Sequence, residues 1–155
     1  MIRGNALFVL AAGIAWWAGS VSAAEPGPLA RYDPPLTPEL RALLQTADAE
    51  AGARTFDRKC STCHDGAKDG GNSKGPHLWN VVGRKAGTHA GFSYSEAMKG
   101  SGHVWSYATL DYFLSDTARA VPRKAMDLVG IPDARTRADL IAYLRTLNDV
   151  PPALP

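Results

Sequence analysis

The stretch Cys60-Ser61-Thr62-Cys63-His64 decides how the rest of the chain is interpreted, because two thiols and an imidazole at this spacing have few chemical uses. Two thiols separated by two residues can add across the two vinyl groups of one porphyrin and form two thioether links. The histidine that follows is carried under the ring, where its imidazole can ligate the iron. The run therefore predicts one covalently attached haem c, held by Cys60 and Cys63, with His64 as an iron ligand.

Other uses of a Cys-x-x-Cys run fit this chain less well. A thioredoxin-like redox pair needs a preceding strand and a βαβ pattern, and the sequence shows neither. A structural zinc site needs a tetrahedral set of Cys and His ligands, whereas the chain has 2 cysteines, both inside the motif. Chance occurrence is the remaining alternative.

The composition is typical of one small globular domain. The chain has 155 residues, of which 45% are hydrophobic and 21% charged, and its net charge is +2. A charge so close to zero gives no support for nucleic-acid binding. A loop-rich domain of about a hundred residues cannot bury a large core unaided, and a haem would supply the missing apolar body.

Residues 1–24 are typical of a signal peptide for export. Arg3 supplies the positive start, residues 6–18 form an apolar run, and small residues at 21–24 offer a cleavage site. The run is short for a membrane span, which needs about 20 apolar residues. An uncleaved anchor facing the periplasm nevertheless stays open as the alternative. Because thioether attachment to bacterial c-type apoproteins takes place outside the cytoplasm, we expect a periplasmic location.

Helix signals recur along the chain, and no alternating strand of useful length appears, so the predicted class is all-α. We expect a Pro-rich linker and a short helix at 25–45, the main domain at 46–149, and a tail at 150–155. The glycine-rich stretch 65–91 is expected to be a long loop that wraps a ligand. Candidate helix caps are Thr37, Asp48, Ser95, Ser106 and Asp133.

The short helix has an apolar face formed by Leu40, Leu43 and Leu44. Two interpretations stay open for this face. It can cover part of the main domain, or it can dock a partner protein.

Residues 46–149 resemble a class I cytochrome c of the mitochondrial type, because several short blocks occur in the order and spacing of that family. Besides the attachment motif, the blocks are Gly75-Pro76-His77-Leu78, Gly83-Arg84-Lys85, Gly91-Phe92-Ser93-Tyr94, Trp105, Pro122-Arg123-Lys124-Ala125-Met126 and Asp139-Leu140-Ile141-Ala142-Tyr143-Leu144. The resemblance implies a cytochrome c fold, with short helices and long loops wrapped around one haem. It also implies that the last helix crosses the domain's first helix near Gly52 and Phe56.

The resemblance implies roles for individual haem-binding residues. The Pro76 carbonyl would accept a hydrogen bond from His64 and orient that ligand. The other residues implied to line the haem or hold its propionates are Arg84, Tyr94 and Trp105.

Several side chains are candidates for the sixth iron ligand, and the resemblance selects Met126. A thioether is a soft ligand that favours ferrous iron and raises the potential. His77 lies too close to His64 in sequence to reach the other haem face. The remaining candidates are Met98, His89 and His103, and we expect the two histidines to be solvated.

Three positions depart from the family pattern near this ligand. Phe113, Met98 and Lys124 stand where the mitochondrial proteins usually carry polar groups. For Lys124, either the ammonium reaches solvent with its stem on the haem edge, or it pairs with a propionate.

The resemblance implies an electron carrier and not an enzyme, because an iron with both axial positions filled has no open site and no small-molecule substrate. The expected partners are redox proteins: a donor dehydrogenase or quinol-oxidising complex, and an acceptor such as a terminal oxidase. One alternative is a dedicated electron-transfer subunit held on a dehydrogenase or oxidase complex by its Pro-rich linker, its short helix and its tail. Another is an enzyme or gas sensor with a weak or absent methionine ligand.

Overall fold

The computed structural model describes Met1 and residues 27–155, and this part of the chain is helical without strands. The helices are α1 (Pro38–Gln45), α2 (Ala49–Lys59), α3 (Glu96–Ser101), α4 (Tyr107–Ser115), α5 (Thr117–Ala120) and α6 (Ala134–Thr146). A single isolated β-bridge joins Lys85 and Val104 within the described residues. The all-α prediction is confirmed. The predicted signal peptide, beyond Met1, lies outside the described residues.

The predicted caps begin the helices. A side-chain oxygen at the N-cap accepts from N–H groups that the first helical turn leaves unpaired. These N-caps are Thr37, Asp48, Ser95, Ser106 and Asp133. The sequence analysis missed α5, a helix of 4 residues whose N-cap is Asp116.

The crossing of α2 and α6 depends on Gly52. A Cβ at position 52 would overlap the backbone carbonyl oxygen of Asp139 and lie 2.8 Å from the Tyr143 Cβ, so only glycine allows this approach. The Phe56 and Tyr143 rings pack beside it, with centroids 5.3 Å apart. Asp139 also accepts from the Asp48 backbone N–H at 2.9 Å. The crossing therefore lies where the family resemblance places it.

Helix α1 packs its apolar face on α6. Leu40 and Leu44 are 7% and 0% exposed. Arg135 in α6 donates to the Leu43 and Thr46 carbonyl oxygens, both at 3.1 Å, and so bonds α6 to the end of α1. Of the two interpretations of this face, the structure agrees with cover of the main domain.

The chain that precedes α1 makes a turn at 28–31 and is packed on α4 and α5. Leu29 is 5% exposed, and its N–H donates to the Ala120 carbonyl at 2.9 Å. The Tyr112 hydroxyl donates to the Gly27 carbonyl at 2.8 Å, and Pro34 is buried. The segment predicted as a linker is therefore fixed to the domain from residue 27 onward.

The tail at 150–155 is also held by the domain. The Tyr107 hydroxyl donates to the Pro152 carbonyl at 3.0 Å, and Arg145 Nε donates to the same oxygen. Gln45 in α1 donates to the Pro155 carbonyl at 3.0 Å. Among the helices in the described part of the chain, none combines the length and apolarity that a bilayer span requires.

Candidate haem site

The attachment motif forms a turn directly after α2. The backbone N–H groups of Cys63 and His64 both donate to the Cys60 carbonyl, at 3.0 and 2.9 Å. Both thiols are free and half-buried on this one turn. Burial raises the pKa of the Cys60 thiol to about 11, so it is protonated at neutral pH. The two thiols lie on one turn at the spacing that thioether links to the two vinyl groups of one porphyrin require.

His64 is held as a neutral ligand. Its Nδ1 lies 2.7 Å from the Pro76 carbonyl oxygen and donates to it, which leaves the Nε2 lone pair free. Burial lowers the pKa of His64, which favours the neutral imidazole that a metal needs. Gly75 packs against the ring: a Cβ there would lie 2.7 Å from the His64 Nδ1. Its N–H also donates to the Cys63 carbonyl at 2.7 Å.

Arg84 and Tyr94 lie near one another, and burial is the largest cause of the shift in each pKa: that of Arg84 is lowered and that of Tyr94 is raised. The Arg84 guanidinium donates to the His77 carbonyl at 3.0 Å, the Trp79 carbonyl at 3.1 Å and the His89 Nδ1 at 3.2 Å. Arg84 therefore ties together the loop that follows Pro76.

Trp105 is buried, and its ring packs edge-on against Phe113 with centroids 5.0 Å apart. The Trp105 backbone N–H donates to the Arg84 carbonyl at 2.9 Å, and the Trp105 carbonyl accepts from the Gly83 backbone N–H. These bonds join the segment before α4 to the loop that carries Arg84.

Met126 lies in a loop between α5 and α6, half-buried against the hydrophobic core. At the start of the loop, the Lys124 N–H donates to the Val121 carbonyl at 3.3 Å, and Arg123 takes a left-handed φ of 63°. A non-glycine residue in that region is strained, and surrounding contacts must hold it. The Lys124 ammonium donates to the Met126 carbonyl at 2.6 Å, a partner that neither sequence interpretation named.

The end of the Met126 loop is fastened by Thr117, which is 0% exposed. Its hydroxyl donates to the Leu128 carbonyl, and its N–H donates to the Val129 carbonyl at 3.1 Å. The Ile131 N–H then donates to the Leu114 carbonyl at 2.7 Å. The loop is therefore fixed where it rejoins the domain.

Thr117 and Arg137 were missed by sequence reasoning. Arg137 is almost buried: it donates to Asp111 Oδ1 at 2.7 Å and to the Ile131 and Pro132 carbonyls at 2.9 and 2.7 Å. An arginine on an amphipathic helix is normally exposed, so its position gave no signal. Nothing in the sequence indicated that Arg137 and Asp111 form a pair, because they lie 26 residues apart.

The other ligand candidates have structural partners. His77 Nε2 donates to the Ala67 carbonyl at 2.6 Å. Met98 is half-buried on α3, and the Ser101 hydroxyl donates to the Met98 carbonyl at 2.7 Å. His89 accepts from Arg84.

The expectation that His103 is solvated is wrong. Both ring nitrogens are buried, and neither has a hydrogen-bond partner in the described part of the chain. The ring stands edge-on against Trp105, with centroids 4.2 Å apart. Glycines on its N-terminal side suggested an exposed turn, but the aromatic neighbour covers the ring.

The donor set fits a haem c. Two thiols share one turn with a neutral imidazole, and that imidazole keeps Nε2 free for iron. A Cβ at position 75 would overlap the His64 imidazole ring, so glycine at this position makes room for the ligand. A thioether at Met126 is available in a loop that is anchored at its end. The clusters of His, Cys, Asp and Glu needed for another kind of metal centre are absent from the described residues.

Comparison with known proteins agrees with the site. The sequence profile of the cytochrome c family matches residues 49–148. A cytochrome c homolog of Bradyrhizobium diazoefficiens is 44% identical over 114 residues, which cover 73% of this chain and 61% of that protein. The cytochrome c-type cyt cy of Rhodobacter capsulatus is 43% identical over 74% of this chain and 56% of its own length.

The chain thus spans less than two thirds of these two bacterial relatives. The cytochrome c of Tetrahymena pyriformis is 42% identical over 73% of this chain and 99% of its own length. The family carries one covalent haem c, and the match extends over the motif Cys60–His64, Pro76 and Met126. The chain therefore belongs to the cytochrome c family and takes one haem c as its cofactor.

Proposed function

We propose that this protein is a monohaem electron carrier of the periplasm. It would accept single electrons from a dehydrogenase or a quinol-oxidising complex and pass them to an acceptor such as a terminal oxidase. The haem supplies one iron that alternates between the ferrous and ferric states. The membership of the family supports the carrier function, and the signal peptide predicted at residues 1–24 supports the location.

The observation that carries the proposal is that both axial ligands are provided for and restrained. His64 is oriented by the Pro76 carbonyl at 2.7 Å. On the other side, Met126 stands in a loop that Thr117 fastens. With both positions taken, no site is left for a substrate, and little structural change is needed when the iron changes charge. Such a site exchanges electrons and does not catalyse a chemical conversion.

The packing of α1 and of the tail at 150–155 favours a free carrier over a dedicated subunit. The apolar face of α1 is buried against α6 through Leu40 and Leu44. The tail is bonded to Tyr107, Arg145 and Gln45 of the same chain. Of the segments that would attach a subunit to its complex, the short helix and the tail are therefore packed on this chain's own domain.

Ligand replacement and ligand binding test the proposal on the haem-loaded protein. Met126→Ala should abolish the ferric charge-transfer band of sulfur-ligated haem and allow carbon monoxide to bind the ferrous iron rapidly. Met98→Ala is the matched control and should leave the band in place. The unmodified protein should also be reduced by quinol-oxidising membranes and reoxidised by an oxidase preparation.

Two results would contradict the proposal. Rapid carbon monoxide binding by the unmodified protein would indicate an enzyme or gas sensor. Loss of the band in Met98→Ala, together with its retention in Met126→Ala, would show that the sixth ligand is misassigned.

A further inference from the structure

The segment 27–33, which we call the strap, meets the protein at the start of the Met126 loop. The Leu29 side chain is 5% exposed, and the Leu29 N–H donates to the Ala120 carbonyl at 2.9 Å. Ala120 is 0% exposed and Val121 is 2% exposed. The Val121 carbonyl accepts from the Lys124 backbone N–H at the start of the Met126 loop. The residue that the strap bonds, Ala120, therefore directly precedes this loop.

Tyr112 on α4 contacts the strap on both sides of Leu29. The Tyr112 hydroxyl donates to the Gly27 carbonyl at 2.8 Å. The Tyr32 ring packs against the Tyr112 ring with centroids 5.1 Å apart. The Arg119 guanidinium stacks over the Tyr112 ring at 4.8 Å. The strap is therefore fixed before and after Leu29, and Leu29 cannot leave its position without breaking these contacts.

The two ends of the Met126 loop are restrained by different parts of the chain. Thr117 and Leu114 hold the end at 128–131 through backbone and hydroxyl bonds. At the beginning, Arg123 has a strained left-handed φ of 63°. A strained turn relaxes when the residues beside it are free to move. The strap is hydrogen-bonded to Ala120, the residue directly before the turn at 121–124.

We propose that the strap is a positioning element for the sixth iron ligand: it restrains Ala120 and Val121 and thereby keeps Met126 on the iron. This rests on the proposed ligation by Met126. Loosening the strap would raise the population of open states in which the sulfur has left the iron. An added ligand that binds only the open state gains apparent affinity in proportion to that population.

The test measures imidazole binding to the ferric haem-loaded protein. Leu29→Ala should tighten the apparent affinity about tenfold, which corresponds to a modest change in the free energy of opening. The matched control is Leu40→Ala, which truncates a leucine of similar exposure, 7% against 5%, that packs on α6 instead. This control should lower the urea midpoint of global unfolding and leave the imidazole affinity unchanged.

A milder variant keeps the proposal testable if Leu29→Ala does not fold. Tyr112→Phe removes only the hydroxyl that bonds Gly27, and should shift imidazole affinity in the same direction by a smaller factor. Equal imidazole affinities for Leu29→Ala, Leu40→Ala and the unmodified protein would overturn the proposal. So would equal tightening in both leucine variants, because the strap would then contribute only to global stability.

Failure of the proposed ligation can be distinguished from failure of the strap proposal. If Met126→Ala itself leaves the imidazole affinity and the sulfur band unchanged, the ligand assignment fails. If Met126→Ala changes both and Leu29→Ala changes neither, only the strap proposal fails.

Discussion

His103 keeps its imidazole out of water, which makes it a source of acid sensitivity. Burial lowers its pKa from 6.5 to about 4, and both ring nitrogens lack partners in the described residues. The unfolded chain therefore binds a proton more readily than the folded one below pH 6.5. Because the folded chain keeps His103 neutral, the free energy of unfolding has its full value above pH 6.5 and decreases as the pH falls towards 4.

We predict that His103→Phe reduces this acid sensitivity. Phenylalanine keeps an aromatic ring against Trp105 and carries no titrating group. The urea midpoint of the haem-loaded protein should fall between pH 7 and pH 5 by a larger amount in the unmodified chain than in the variant. Identical falls in the two proteins would show that His103 is hydrated when protonated and does not contribute.

Helix α2 crosses α6 so closely at Gly52 that there is no room for a methyl group. We predict that Gly52→Ala destabilises the fold by about 3 kcal/mol or more, because the new Cβ meets the Asp139 backbone, which cannot rotate away. Gly100→Ala in α3 is the control: nothing lies within 4 Å of its Cβ position, and alanine is the better helix former by about 1 kcal/mol. Thermal unfolding of both variants measures the difference. Equal stability of the two variants would contradict the close packing.

Caps and motifs were predictable from the sequence because their bonds are local. Thr37 and Asp48, for example, bond N–H groups within three residues of themselves. The hydrogen bond that orients His64, from its ring to the Pro76 carbonyl, was predicted only from the family resemblance. By contrast, the burial of Leu29 depends on Ala120, far along the chain, and prolines around it are equally typical of a free linker. Thr117 was missed for the same reason, since its partners lie in a loop without periodicity.

Across the whole molecule, charges of both signs are interspersed, and the net charge is +2. Around the Met126 loop, the cations Arg119, Arg123 and Lys124 are flanked in the sequence by Asp116 and Asp127. Electrostatic steering needs a patch of one sign, and salt screens it over a Debye length of about 8 Å at physiological ionic strength. A mixed surface therefore steers a partner weakly.

We predict that electron transfer to an oxidase depends only mildly on salt. Between low and moderate ionic strength, the second-order rate constant should fall by less than about tenfold. Stopped-flow mixing of the ferrous protein with an oxidase preparation measures it. A steep fall would show that the cations act together as a docking patch. Asp127→Asn would then be expected to raise the rate at low salt.

The strap and the attachment turn form at different stages of folding. Gly27 and its partner Tyr112 are 85 residues apart, so a growing chain makes the strap long before the surface that receives it. The turn at Cys60–His64 closes through bonds within the motif itself and needs neither. The attachment turn can therefore form in an unfolded, exported chain. The contact of the strap with α4 and α5 forms only when distant parts of the chain have packed together.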